Sequence, residues 1–167
     1  MIPGKIQFAE SEGTYVLKLI GEVRLTLCSG LEKFLAMMFD EPGFKSVIID
    51  LSESDTIDST SLGVLAKLSI EARRRFNQTP VLISPQPDIS RILTSMGFER
   101  IFLIVQEERS GQGQGVSEIH CEAGSESSTH AQVLDAHRVL MNLNENNRKA
   151  FSDLVRQLER QGHPGDA

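Results

Sequence analysis

The chain has 167 residues, 40% of them hydrophobic, with a mean hydropathy of −0.17, which is enough for one sizeable core and an appendage. A formal net charge of −6, from 23 acidic against 17 basic residues, with no Trp and one Tyr, argues against nucleic-acid or anionic-membrane partners and against a base-stacking platform. No apolar stretch approaches the ~20 residues of a bilayer span, the N-terminus MIPGKIQFAESEG lacks the regions of a signal peptide, which makes the cytoplasm the expected compartment, and Cys28 and Cys121 form neither a disulfide framework nor a zinc spacing.

The elements follow in chain order. Lys5 to Ala9 and Thr14 to Ile20 predict two strands joined at Ser11-Glu12-Gly13, because Tyr15, Leu17 and Leu19 alternate against Val16 and Lys18. Ser29 to Phe39 carries Leu31, Phe34, Leu35 and Met38 at helical spacing and stops before Pro42-Gly43. Ser46 to Leu51 holds a short β-branched run, Val47 to Ile49, of the kind found in strands covered on both faces. From about residue 60 to Phe76 the period is helical, with Leu62, Leu65, Ala66, Ser69, Ala72 and Phe76 on one stripe. Val81 to Ile83, between Pro80 and Pro85, predicts a strand. Asp88 suits the cap of a third helix reaching about Met96, where Gly97 stops it, and Ile101 to Val105 predicts a last strand. Alternating strands and helices describe an α/β domain with a mixed central sheet flanked by helices, ending near residue 106.

Composition then changes. Residues 107–129 hold four of the 13 glycines with many Ser, Glu and Gln, which reads as a flexible linker. From residue 130 to 161 helical pattern returns. Val133, Leu134, His137, Leu140 and Met141 form one face, Phe151, Leu154, Val155 and Leu158 another, and Asn144 suits the cap of the second helix, with Asn147 in its first turn. Such an amphipathic extension must hide its stripe against its own sheet domain, a second copy or a partner.

The chemistry-bearing stretch is Asp58-Ser59-Thr60-Ser61, where a buried strand region gives way to a helix. Short oxygen-bearing side chains suit an N-cap and first turn, where backbone N–H groups lack intrahelical partners. Plain capping is therefore one reading of these residues. A hydrolase elbow is not, because it needs Gly two residues either side of the serine, and Ile57 and Ser61 stand there. His120-Cys121 with Cys28 makes a poor metal set, since two ligands are adjacent and the third distant. His137 is read as a half-buried residue of its helix in preference to a phospho-carrier. Arg73-Arg74-Arg75 reads as a solvated helix end that complements the dipole, Phe34, Met37 and Met38 as core, and no glycine-rich phosphate cradle is found.

Over residues 5 to 105 the chain resembles the STAS domains of bacterial anti-sigma-factor antagonists. In that family the phosphorylatable residue follows Asp in a D-S-[ST]-G-L-G motif, which reads here Asp58-Ser59-Thr60-Ser61-Leu62-Gly63. The flanking hydrophobic strand, Gly21-Glu22-Val23 and ISPQPDISRILTSMGFERIF fit the same pattern. The departure is Ser61 in place of Gly, which adds a third hydroxyl and narrows backbone freedom. The resemblance implies a phosphoacceptor at Ser59, with Thr60 as the neighbouring hydroxyl, and a partner-binding stretch of Asp58, Ser59, Thr60, Ser61, Leu62 and Gly63. It further implies partner switching. The unphosphorylated domain binds a serine-kinase anti-sigma factor, phosphorylation breaks that complex, and a serine phosphatase restores it. On this reading the protein is a cytoplasmic regulator and not an enzyme, with no cofactor or metal. Two other readings stay open: a scaffold that self-associates through its C-terminal helices, and a ligand-sensing STAS domain.

Overall fold

The computed structural model describes residues 2–107, 116–122 and 124–161. Strand β1 (Lys5–Ser11) pairs antiparallel with β2 (Thr14–Val23), with Ser11 opposite Thr14. The two residues between them, Glu12 at φ 51° and Gly13 at φ 89°, supply the left-handed pair that matches the twist of a tight hairpin. Strands β3 (Ser46–Asp50), β5 (Val81–Ile83) and β6 (Leu103–Val105) continue the sheet in parallel, and β7 (Ser117–Ile119) closes the other edge antiparallel to β1, giving the order β6-β5-β3-β2-β1-β7. Strand β4 (Ser54–Ile57) pairs in parallel with the far end of β2, beyond a register shift at Gly21. Gly21 has φ 76°, and a Cβ there would stand 2.5 Å from the Ile2 carbonyl oxygen, so only glycine allows this bend.

Three helices complete the STAS-like part: α1 (Cys28–Asp40), α2 (Ser59–Phe76) and α3 (Pro87–Ser95). Two more, α4 (Glu126–Met141) and α5 (Glu145–Gln161), form the C-terminal pair. The core joins Leu17, Leu19, Ile49, Leu51, Leu65, Leu82 and Phe98 with Ile119 of β7 and Leu140 of α4. Helix α2 is therefore covered twice, by the sheet and by α4, which is why Gly63, Val64 and Leu68, lying off the single expected stripe, are buried as well. Among the described residues no helix is long and apolar enough to cross a membrane.

Several expectations change. Of the stretch 107–129 read as a linker, Ser117–Ile119 are a strand on β1 and Glu126 to Thr129 already belong to α4. Its residues 108–115 and 123 lie outside the described residues. The third helix is capped at Gln86 with Pro87 at its start, so Asp88 falls in the first turn and pairs with Arg91. The last strand of the domain begins at Leu103, because Phe98–Arg100 form a 3-10 turn. Met37 is 54% exposed, while Met38 and Phe34 are core; Met37 points off the α1 stripe that Phe34, Leu35 and Met38 share. Asn144 does cap α5, its Oδ1 accepting from the Asn147 N–H at 2.8 Å.

Candidate functional site

The site is built where β4 hands over to α2. Asp58 is the N-cap, in extended backbone, and its Oδ1 accepts from the Ser61 N–H at 2.8 Å. Its other oxygen accepts from the Leu25 N–H, also at 2.8 Å. Both carboxylate oxygens are thus committed to positioning, one to α2 and one to the turn that leads into α1. The main chain is held as well, by the Asp58 N–H donating to the Val23 carbonyl at 3.0 Å. This rigid corner fixes the direction in which the first residue of α2, Ser59, presents its hydroxyl.

That hydroxyl meets a histidine from the C-terminal extension. Ser59 Oγ lies 2.8 Å from His137 Nε2, and His137 Nδ1 lies 2.7 Å from the Val133 carbonyl oxygen. A carbonyl only accepts, so Nδ1 carries the proton; in the neutral ring Nε2 is then the acceptor and Ser59 the donor. His137 is 2% exposed, and its ring stands edge-on to Phe151 with centroids 5.3 Å apart. It is more deeply buried than the half-buried residue expected from sequence, because α5 covers the side that α2 leaves open.

The other hydroxyls turn inward. Thr60 is 6% and Ser61 1% exposed, and Ser61 Oγ lies 3.5 Å from Cys28 Sγ. Burial pushes the Cys28 thiol up to about 12, against the smaller opposing effect of its bond with Ser61. Leu62 is core. Gly63 faces α4, where a Cβ would stand 2.4 Å from the Ala136 carbonyl oxygen and 2.6 Å from the Ala136 Cβ. One turn further, Lys67 Nζ contacts Asp135 at 2.8 Å and Glu32 at 3.5 Å. Burial opposes the charge of Lys67, but the two carboxylates outweigh it and its ammonium titrates above the usual range.

The six residues of the expected binding stretch are thus contiguous at one corner, yet only Asp58 and Ser59 are partly open to solvent. Sequence reasoning missed His137, Ala136 and Asp135 as their neighbours; a helical stripe gives no address for the surface it covers. His120 and Cys121 join no metal set, and among the described residues no cluster of three or more His, Cys, Asp or Glu is placed to hold a metal ion. A groove of about 420 Å³ between α1 and α2, lined by Glu32, Phe39, Lys67, Glu71 and Arg75, does not include Ser59.

With this geometry in place, residues 5–111 match the STAS domain family. The chain belongs to the STAS family. Solved structures share the fold. A Thermotoga maritima protein proposed to be an anti-sigma factor antagonist is similar at 22% identity and a TM-score of 0.54, over 62% of this chain and 86% of that one. The anti-sigma factor antagonist SpoIIAA in its unphosphorylated form is similar at 14% identity and a TM-score of 0.53, over 62% of this chain and 89% of that one. Comparison with curated proteins finds no match. The STAS match ends at residue 111, so the bond between Ser59 and His137 joins the STAS domain to a segment beyond it.

Proposed function

We propose that this STAS protein is an anti-sigma-factor antagonist working by partner switching, binding a serine-kinase anti-sigma factor while Ser59 is unphosphorylated and releasing it when Ser59 carries phosphate. The observation that supports Ser59 over its neighbours is exposure: Thr60 and Ser61 are buried, whereas Ser59 is partly open at the first position of α2. A phosphate there adds about −1.5 to −2 charges at neutral pH. The helix N-terminus favours an anion by roughly 0.3 to 1 kcal/mol, so the modification leaves α2 folded. Its effect falls on the interface, where Asp58, Asp55 and Glu53 already concentrate negative charge near the switch, Glu53 being paired with Lys18. A dianion buried against a partner without a matching cation costs several kcal/mol, and ~1.4 kcal/mol is tenfold in affinity. The protein acts by binding and not by catalysis, and a serine phosphatase resets it.

The scaffold reading has less support, because Ala136, Leu140 and Val155 of the extension are buried within the same chain. The deciding experiment has two parts. The protein is incubated with ATP and an extract of its source cells, and phosphopeptides are mapped; phosphate on Ser59, absent in Ser59→Ala, is expected. A pull-down then compares wild type, Ser59→Ala and Ser59→Asp. The first two retain a kinase-type partner and the third loses it. Phosphate found only on Thr60 or Ser61 overturns the assignment.

A further inference from the structure

Ser59, Gly63 and Lys67 are spaced by four residues and form one stripe along α2. Each is met by a residue of α4: Ser59 by His137, Gly63 by Ala136 and Lys67 by Asp135. The stripe thus has a hydrogen-bonding point, a place where two backbones close on one another, and a charge pair at its rim. The central contact is the selective one, since no side chain larger than hydrogen fits at 63 while Ala136 is seated. Around it lie both apolar and polar attachments, Leu140 of α4 belonging to the core cluster and Val139 packing against it. At the far end Asn144 and Asn147 donate to the Met96 carbonyl at 3.2 and 2.9 Å. The Lys67–Asp135 pair is about half exposed on both sides, which makes it a determinant of fit more than of strength.

We propose that α4 is an intramolecular occupant of the face of α2 that receives the protein partner, and that this face binds an α-helix. Such a helix presents a small residue to Gly63, a hydrogen-bonding side chain to Ser59 and a carboxylate to Lys67, as α4 itself does. The proposal rests on the assignment of Ser59 as the switch, for it places the regulation at that same site. In the closed form the Ser59 hydroxyl is engaged by a buried ring and the stripe is filled. A partner gains the face only by displacing α4, and phosphoryl transfer to Ser59 requires the same open form. Because the uncovered face includes apolar residues that α4 otherwise buries, the open form is scarce until a partner helix replaces what was lost. Covalent attachment lets α4 compete at high effective concentration with any partner in solution.

The test uses the full chain and a fluorescent peptide of residues 125–161 as the probe. In wild type the peptide meets an occupied face. In Ala136→Arg the resident helix is wedged off Gly63, and the peptide is expected to bind at least tenfold more tightly than to wild type, with Gly63→Arg added to that variant abolishing the gain. A second measurement needs no variant. Native-state hydrogen exchange of wild type is expected to show residues 126–161 opening together, faster than β3 and β5. Equal peptide binding by wild type and Ala136→Arg, or exchange of 126–161 only at the rate of β3, overturns the proposal. Should Ala136→Arg fail to fold, the exchange measurement on wild type decides. Neither readout involves a kinase or phosphate, so absence of phosphate from Ser59 sinks the switch assignment without touching these results, and their failure leaves phosphopeptide mapping unaffected.

Discussion

Ser59 Oγ and His137 Nε2 lie 2.8 Å apart although 78 residues separate them in sequence. One belongs to the STAS match and the other lies beyond it, so the bond ties the Ser59 hydroxyl to the position of the C-terminal helices. The Val133 carbonyl, on the previous turn of α4, fixes the ring's tautomer, and Ser59 is left as the donor.

That pairing makes a double-mutant cycle informative. Ser59→Ala is expected to cost about 0.5–1.5 kcal/mol of unfolding free energy, the usual worth of a hydrogen bond. His137→Ala is expected to cost more, about 2–4 kcal/mol, because a buried ring stacked edge-on to Phe151 is lost as well. The double variant should fall short of the sum by about 1 kcal/mol in urea unfolding. Strict additivity would mean that the two side chains do not share a bond in solution.

At Gly63 the sign of the effect is the test. Gly to Ala in a helix interior ordinarily stabilises by roughly 0.5–1 kcal/mol. Here the added methyl would stand 2.4 Å from the Ala136 carbonyl oxygen, so backbone must move or α4 must lift. Gly63→Ala is therefore expected to destabilise, by about 1–3 kcal/mol, and to speed exchange in α4. A thermal melt showing the ordinary stabilisation would place α4 away from α2.

Which parts of this arrangement were legible beforehand follows from the range of the forces involved. The hairpin, α1, α2 and the parallel strands announce themselves by period and by turn residues, because their burial pattern repeats along the chain. The Asp58 cap was equally local. Strand β4 was missed because SDTI has buried residues only at its two ends, and β7 because a three-residue edge strand with only Ile119 buried leaves no period in a Ser- and Gly-rich segment. The surface under α4 was out of reach for a different reason. Val133, His137 and Leu140 mark a face to be covered, but the fit of His137, Ala136 and Asp135 to Ser59, Gly63 and Lys67 is a property of two helices together.

Cysteine chemistry follows from burial. With its thiol pushed up to about 12, Cys28 stays protonated at pH 8 and is expected to resist iodoacetamide in the folded chain. Cys121, half-buried and also raised by burial, is expected to react first but slowly, and both react in urea. The same shift has a sign for stability. Below the unfolded thiol's ordinary value near 9.0 the contribution is fully present; between there and about 12 the unfolded chain ionises first and stability is lost with rising pH. Wild type should therefore lose more stability than Cys28→Ala from pH 9 to 11, by up to about 1.4 kcal/mol per pH unit. Parallel pH profiles of the two would show that the thiol is not buried.

A chain ending at residue 106 loses both coverings of the domain. Composition predicts that this cut falls in a linker and leaves a cooperative unit. The structure argues otherwise: Ile119 of β7 and Leu140 of α4 belong to the same core cluster as Leu65 and Ile6, and β7 shields the open edge of β1. Removing two such aliphatic side chains from their partners costs about 1.5–3 kcal/mol each, a large share of the roughly 5–15 kcal/mol that hold a domain together. Two surfaces are uncovered with them, an apolar stripe on α2 and an unpaired strand edge, and both favour self-association. The shortened chain is expected to melt at least 10 °C lower than full length, using the usual shift of about 4–8 °C per kcal/mol for a domain of this size, and to bind an apolar dye and associate in sedimentation runs. A melting temperature equal to that of the full chain, with no dye binding, would show that β7 and α4 rest on the domain without stabilising it.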